Sequence, residues 1–196
     1  MYKAVIFDLD GTLIDSLGDI LEVLNQTLRR FGLTEVTRVQ ATEYIGNGAR
    51  ELVRLAIGGE NASRLDEILA YYKKAYAACN NRFSTLYGGE KEALTAVRQS
   101  GAKLAILTNK PHAVALKTNE QFFKEFRFDL VQGQEDGAPQ KPDPLAALSV
   151  AERLGVDVRE CVIVGDGETD YFTARNSGAD CVSVLWGYRS REQLSA

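Results

Sequence analysis

Apolar residues fall into two kinds of pattern along the chain, and the two kinds occupy different stretches. Ala4-Val5-Ile6-Phe7 is a short, continuous apolar run with β-branched and aromatic residues. A strand with one wet face would alternate, so this run predicts a strand buried on both faces, as in a parallel sheet. Similar runs recur at Leu104-Ala105-Ile106-Leu107, Val162-Ile163-Val164 and Val182-Ser183-Val184-Leu185, with a weaker one at Phe128-Asp129-Leu130-Val131. Helical patterns separate them. Glu90–Gln99 carries apolar residues at 93, 94 and 97. Pro111–Phe126 opens on Pro, a favoured first helical residue. Pro142–Leu154 runs up to Gly155, which suits a helix C-terminus, and Glu168–Asn176 ends near Gly178. Strands alternating with helices predict βαβ units and a doubly wound α/β fold on a parallel sheet.

Residues 16–85 break that rhythm and hold no convincing strand. Leu17, Ile20, Leu21, Leu24 and Leu28 share one helical face. Leu52, Val53, Leu55, Ala56 and Ile57 predict a second helix, and Leu65, Ile68, Leu69, Tyr72 and Tyr76 a third. Residues 16–85 are therefore expected to form an all-helical insert, too long for an ordinary connection. The α/β core would be discontinuous, residues 1–15 with 86–196.

Composition narrows the class. Of 196 residues, 45% are apolar and 26% charged, which excludes a disordered or fibrous chain. With 23 basic against 27 acidic residues the net charge is −4, so a nucleic-acid partner held by phosphate contacts is not expected. An anionic substrate remains open, because one lysine and one metal ion can reverse a local field. No apolar run approaches the roughly 18 residues that span a bilayer. The first apolar run meets Asp8 almost at once, unlike a signal peptide. Cys79, Cys161 and Cys181 are odd in number and lack a Cys-x-x-Cys pair, which fits reduced thiols in a cytoplasm. Cys161 and Cys181 are expected as packed thiols on strands. The single histidine, His112, is expected on the surface of a helix's first turn.

Four constellations carry candidate chemistry, each at the C-terminal end of an expected strand, where open α/β sheets bind ligands. In Asp8-Leu9-Asp10-Gly11-Thr12 the two carboxylates face one side of extended chain and repel unless a cation or a shared proton relieves them. An acidic turn is the plain alternative. Thr108-Asn109-Lys110 offers a hydroxyl and an amide before a helix, suited to a phosphate or to an ordinary N-cap. In Lys141-Pro142-Asp143-Pro144, Pro142 biases Lys141 away from helix, so its ammonium could neutralise a phosphoryl oxygen and a nearby carboxylate. Otherwise it is a surface lysine. Gly165-Asp166-Gly167-Glu168-Thr169-Asp170 places two carboxylates four apart on a strand-to-helix turn, a donor set suited to Mg²⁺ or simply to a helix N-terminus.

Taken together, in the order Asp pair, Thr-Asn, Lys, Asp pair, these motifs resemble the haloacid dehalogenase superfamily of phosphatases across nearly the whole chain. Asp8-Leu9-Asp10-Gly11-Thr12-Leu13 matches the first motif, Thr108 the second, Lys141 the third, and Gly165-Asp166 with Asp170 the fourth. The helical insert looks like the superfamily's C1-type cap on a Rossmannoid core. Phe7 to Ser16, Thr108-Asn109-Lys110-Pro111 and Trp186-Gly187-Tyr188 look most like phosphoglycolate phosphatases. The chain stops at Ala196, soon after that Gly-Tyr, so a shortened last strand or helix is expected at the sheet's edge.

The resemblance implies a Mg²⁺-dependent phosphomonoesterase acting through an aspartyl-phosphate on a small phosphorylated metabolite such as 2-phosphoglycolate. Asp8 would be the nucleophile and Asp10 the acid–base. Mg²⁺ would be held by Asp8, the Asp10 carbonyl and Asp166, with Asp170 directly bound or one layer out. Thr108, Asn109, Lys141 and Gly11 would receive the phosphoryl group. Arg50, after Gly46-Asn47-Gly48, would read a substrate carboxylate, or else pair with Glu43. A sugar phosphomutase of the β-phosphoglucomutase kind, a phosphatase for pyrophosphate or nucleoside monophosphates, and a regulatory module on an inactive phosphatase fold are the competing readings. A monomer or homodimer without membrane or nucleic-acid partners is expected.

Overall fold

The structure, a computed structural model, describes residues 1–195. Its contacts divide the chain into two compact units, one of Met1–Asp15 with the chain from Leu86 onward, the other Ser16–Thr85. In chain order the elements begin with β1 (Ala4–Phe7), the two-residue strand β2 (Ile14–Asp15), and helices α1 (Leu17–Arg30), α2 (Arg38–Tyr44), α3 (Gly48–Ile57) and α4 (Leu65–Ala78). There follow the two-residue β3 (Thr85–Leu86), α5 (Glu90–Gln99), β4 (Lys103–Pro111), α6 (His112–Phe122), β5 (Leu130–Gln134) and α7 (Pro144–Leu154). The last are β6 (Cys161–Gly165), α8 (Glu168–Ser177), β7 (Asp180–Ser183) and the short α9 (Arg191–Leu194).

The first unit is built on a five-stranded sheet in the order β5-β4-β1-β6-β7, with every neighbouring pair parallel. β1 sits in its middle and all four of its residues are buried. Alternation sends them to opposite faces. Ala4 and Ile6 join Ala105, Leu107, Ile163 and the small inward residues Ala146, Ala147, Val150 and Ala151 of α7, with Ala174 of α8. Val5 and Phe7 join Leu104, Ile106, Val162, Leu94 of α5 and Ala115 of α6. Both faces of the sheet are thus covered by helices, which is why its strands read as unbroken apolar runs rather than alternating ones.

Several boundaries differ from those the sequence predicts. β4 continues through Thr108-Asn109-Lys110 to Pro111, so α6 opens at His112 and Pro111 precedes it. The cause is β5, which stays beside β4 across a register shift as far as the pairing of Pro111 with Gln134. β5 begins at Leu130, and just before it the Asp129 carboxylate accepts the Leu104 N–H (2.8 Å) and an Arg98 N–H (2.8 Å). α7 starts at Pro144, because Asp143 makes the better cap: its Oδ1 accepts the Leu145 N–H at 2.9 Å. Cys161 is fully buried and its thiol is pushed up to about 11 by burial, whereas Cys181 on β7 is only half-buried. His112 is not a bare surface residue; its Nδ1 accepts the Gly133 N–H at 3.1 Å.

The second unit is helical. Its core gathers Ile20, Val23, Leu24 and Leu28 of α1, Leu52, Val53 and Ile57 of α3, and Ile68, Leu69, Tyr72 and Tyr76 of α4. The unforeseen α2 is short and set by local bonding. Thr37 Oγ1 accepts the Gln40 N–H (3.3 Å) and Gln40 Oε1 accepts the Thr37 N–H (2.9 Å), a capping box. The unit's ends are tied by Asp19, whose carboxylate accepts the Phe83 N–H (3.0 Å) and the Ser84 hydroxyl (2.6 Å). Among the described residues, no helix is long and apolar enough to cross a membrane.

Because Ile6 is fully buried at the centre of the sheet, Ile6→Ala is expected to cost about 2–5 kcal/mol. Urea unfolding followed by far-UV circular dichroism measures this. An unchanged midpoint would show that the α7 face of the core repacks without loss.

Candidate active site

Parallel pairing aligns the strand ends. Phe7 lies opposite Ile106 of β4 and Val164 of β6, so Asp8, Leu107-Thr108 and Gly165-Asp166 come to one level of the sheet. The Asp8 N–H donates to the Val164 carbonyl at 2.8 Å, which extends that alignment one residue past the strand.

Lys141 is buried among the resulting carboxylates. Its Nζ lies 2.5 Å from Asp170 Oδ1 and 3.0 Å from Asp8 Oδ1. Burial alone would push this ammonium down, but Asp170 and Asp8 outweigh it and hold it above the ordinary lysine value. Its loop is fixed from β4. The Lys141 N–H donates to Asn109 Oδ1 (3.0 Å), and Asn109 Nδ2 donates to the Lys141 carbonyl (2.9 Å). The side-chain amide of Asn109, expected at the phosphoryl group, is thus bonded to the buried peptide groups of Lys141, which lies outside any strand. Thr108 is buried beside it, with Oγ1 accepting the Lys110 N–H at 3.3 Å.

Asp170 is held twice, by Lys141 and by the Gly167 N–H, which donates to Oδ2 at 3.1 Å across the start of α8. Asp166 is also held twice. Thr12 Oγ1 donates to its Oδ1 (3.2 Å) and the Tyr188 N–H to its Oδ2 (2.7 Å). Gly11, at φ +87, packs so closely on this carboxylate that a Cβ there would collide with it. Asp10 pairs with the buried Lys110, Nζ to Oδ1 at 2.6 Å. Sequence reasoning placed Lys110 in a motif but gave it no role. The available signal was a lysine close behind the apolar run Leu104–Leu107, in a strand buried from Leu104 to Lys110.

Four carboxylates (Asp8, Asp10, Asp166, Asp170) thus share a nearly dry site with two ammoniums (Lys110, Lys141), an excess of two negative charges. The Asp8 carboxyl is pushed up to about 7, first by burial and then by Asp170, Asp166 and Asp10, while Lys141 pulls it down. Asp166 is pushed up to about 6, again first by burial, with the Tyr188 N–H opposing. Asp8 Oδ1 is buried without a hydrogen bond. One oxygen from each of Asp8, Asp166 and Asp170 lies within 4.8 Å of the others. All-oxygen donors, an unsatisfied buried carboxylate oxygen and that charge excess fit a hard divalent cation such as Mg²⁺.

Arg50 belongs to the helical unit and not to this cluster. It lies in the first turn of α3, and its guanidinium bonds Asp66 Oδ1 at 2.8 Å. The partner is Asp66 rather than Glu43. Both side chains of the pair are largely exposed, at 62% and 85%.

The chain is similar to known proteins in sequence and fold. Residues 5–184 match the family model of the haloacid dehalogenase-like hydrolases. A phosphoglycolate phosphatase of Xanthomonas campestris pv. campestris is 35% identical over 187 residues, 95% of this chain and 85% of its own. One from Vibrio vulnificus is 33% identical over 201 residues, 99% of this chain and 88% of its own. Among solved structures, one described as a predicted phosphoglycolate phosphatase from Haemophilus somnus 129pt superposes with a TM-score of 0.85. It is 26% identical, covering 97% of this chain and 88% of that one.

The raised carboxyls set a pH dependence for the metal-free protein. A carboxyl whose folded value lies above its unfolded value of about 4 adds full stability below that pH and loses it as pH rises through the folded value. For Asp166 and Asp8 the loss runs through about 6 and about 7. Asp157, held down to about 2 by Arg159, has finished titrating below that window. The melting temperature in chelator is therefore expected to fall between about pH 5 and about pH 8. A melting temperature that climbs over that interval would contradict the assignment.

Proposed function

The chain belongs to the haloacid dehalogenase-like hydrolase family, and from that premise we propose that it hydrolyses a small phosphoric monoester, 2-phosphoglycolate, with Mg²⁺. The observation that carries the reading is the buried Asp8 carboxylate at the end of β1, with one oxygen lacking a hydrogen bond and Lys141 Nζ 3.0 Å away. An oxygen so placed is an available nucleophile, and the ammonium beside it would draw in a phosphoryl group. The substrate assignment rests on the relatives named phosphoglycolate phosphatase.

Asp8 attacks phosphorus and displaces the alkoxide of the leaving group, forming an aspartyl-phosphate. Asp10 gives the departing oxygen its proton. Asp10 then takes a proton from water, which attacks the same phosphorus, releases inorganic phosphate and restores the Asp8 carboxylate. Lys110 fixes the Asp10 side chain for both transfers. Lys141 and Thr108 receive phosphoryl oxygens, and Asn109 and Asp170 hold Lys141 in place. Asp8, Asp166 and the Asp10 carbonyl would hold Mg²⁺, with Asp170 beside them. Bound there, the ion supplies charge to offset the phosphoryl oxygens, the main demand in phosphoryl transfer.

Purified protein is expected to release phosphate from 2-phosphoglycolate with Mg²⁺ and to stop in excess chelator. Asp8→Asn should abolish turnover while the protein still melts cooperatively. Asp10→Asn should slow it by about 10²–10⁴-fold. Wild-type-like turnover by purified Asp8→Asn would overturn the mechanism. Equal rates across a panel of sugar phosphates, nucleoside monophosphates and pyrophosphate would overturn the substrate.

A further inference from the structure

Four consecutive residues near the C-terminus contact the two acidic loops of the site. Trp186 Nε1 donates to the Thr12 carbonyl at 3.0 Å. Gly187 packs so tightly on Asp166 that a Cβ there would overlap the carboxylate. Tyr188 donates its backbone N–H to Asp166 Oδ2 (2.7 Å) and its hydroxyl to Asp15 Oδ1 (3.2 Å). Arg189, whose side chain is nearly buried, donates to Glu168 Oε2 at 3.0 Å. Thr12, held from one side by Trp186, uses its own hydroxyl on Asp166 Oδ1 at 3.2 Å. Both oxygens of Asp166 are therefore positioned from this segment, one directly through Tyr188 and one through Trp186 and Thr12.

Trp186 is 58% exposed, and its ring lies tilted beside that of Tyr87, with centroids 6.4 Å apart. Burial accounts for little of its place in the structure, whereas its N–H is committed to the loop that carries Asp8 and Asp10.

We propose that Trp186–Arg189 is a positioning strap for the Asp166 carboxylate, and that Trp186, acting through Thr12, sets how tightly the site holds a divalent cation. The proposal rests on the metal reading given above. Groups that orient a metal ligand from outside govern affinity, typically by about 10–100-fold, because they fix the ligand before the ion arrives. Trp186 is a positioning residue in this scheme. It is also the chain's only tryptophan, so its emission reports the strap without a label.

The test uses the full chain, stripped of metal and titrated with Mg²⁺ alone. In the unaltered protein, calorimetry should show binding, and tryptophan emission should change with the same midpoint. Trp186→Phe keeps a ring and loses the donor. It should bind Mg²⁺ about 10-fold more weakly, with kcat recovered at saturating Mg²⁺. Gly187→Ala, which crowds Asp166 directly, should weaken binding further. Exposed Leu145→Ala on α7 should bind as the unaltered chain does. Unchanged Mg²⁺ affinity in Trp186→Phe overturns the strap and leaves the metal reading standing. Calorimetric binding with no change in emission does the same, and keeps the question decided if Trp186→Phe does not fold. Absence of Mg²⁺ binding in the unaltered chain overturns the metal reading and the strap with it.

Discussion

The site depends on one buried ammonium. Lys141 Nζ stands between Asp8 and Asp170, carboxylates that would repel one another in a nearly dry pocket without it. Much of the surrounding hydrogen bonding serves to keep that ammonium in place. Asn109 spends its amide on the Lys141 peptide, and Asp170 is braced by the N–H of Gly167. Lys110 repeats the arrangement for Asp10. Charged groups buried this deeply are tolerated only when paired and fully bonded. Asp8 Oδ1, which the Lys141 ammonium meets at 3.0 Å without hydrogen-bond geometry, is the oxygen the proposed attack would use.

Most of the core was legible because parallel strands buried on both faces leave unbroken apolar runs. β1, β4 and β6 each contain such a run. Asp8, Asp10 and Asp166 stood out as candidates for a related reason: polar residues just after such runs stand at the open end of the sheet, whereas Lys141 lies well past β5 and Asp170 within α8. What stayed hidden required contacts across the chain. Nothing local shows that Asn109 would face Lys141, 32 residues away, or that Lys110 would reach Asp10, 100 residues away. The bonds from Trp186 to Thr12 and from Tyr188 to Asp166 are equally nonlocal. Helix starts were misplaced where two prolines or an Asp competed for the first position, as at Pro142, Asp143 and Pro144.

The helical unit obeys different physics. Its helices bury apolar stripes against one another, and its internal polar bonds are mostly short-range. Thr37 caps through Gln40, three residues on, and Asn25 bonds both backbone groups of Val36, eleven residues on. The long tie is Asp19 to Phe83 and Ser84, which closes the unit's own ends. The surface pair Arg50–Asp66 adds little to this, since exposed ion pairs are worth about 0–1 kcal/mol.

The placement of β1 has a consequence for how the chain is made. Ile6 pairs on one side with Ala105 and on the other with Ile163, so the central strand has no partner until most of the sequence exists. At a synthesis rate of about 5–20 residues per second, the wait from β1 to β6 is roughly 8–30 seconds. In that interval all of Ser16–Thr85, the helical unit, has been made. Ala4–Phe7 and Leu9, buried in the folded chain, have no sheet to cover them until then. Pairing of β1 with both β4 and β6 thus joins segments far apart in sequence, and the same pairing brings Asp8 level with Gly165-Asp166.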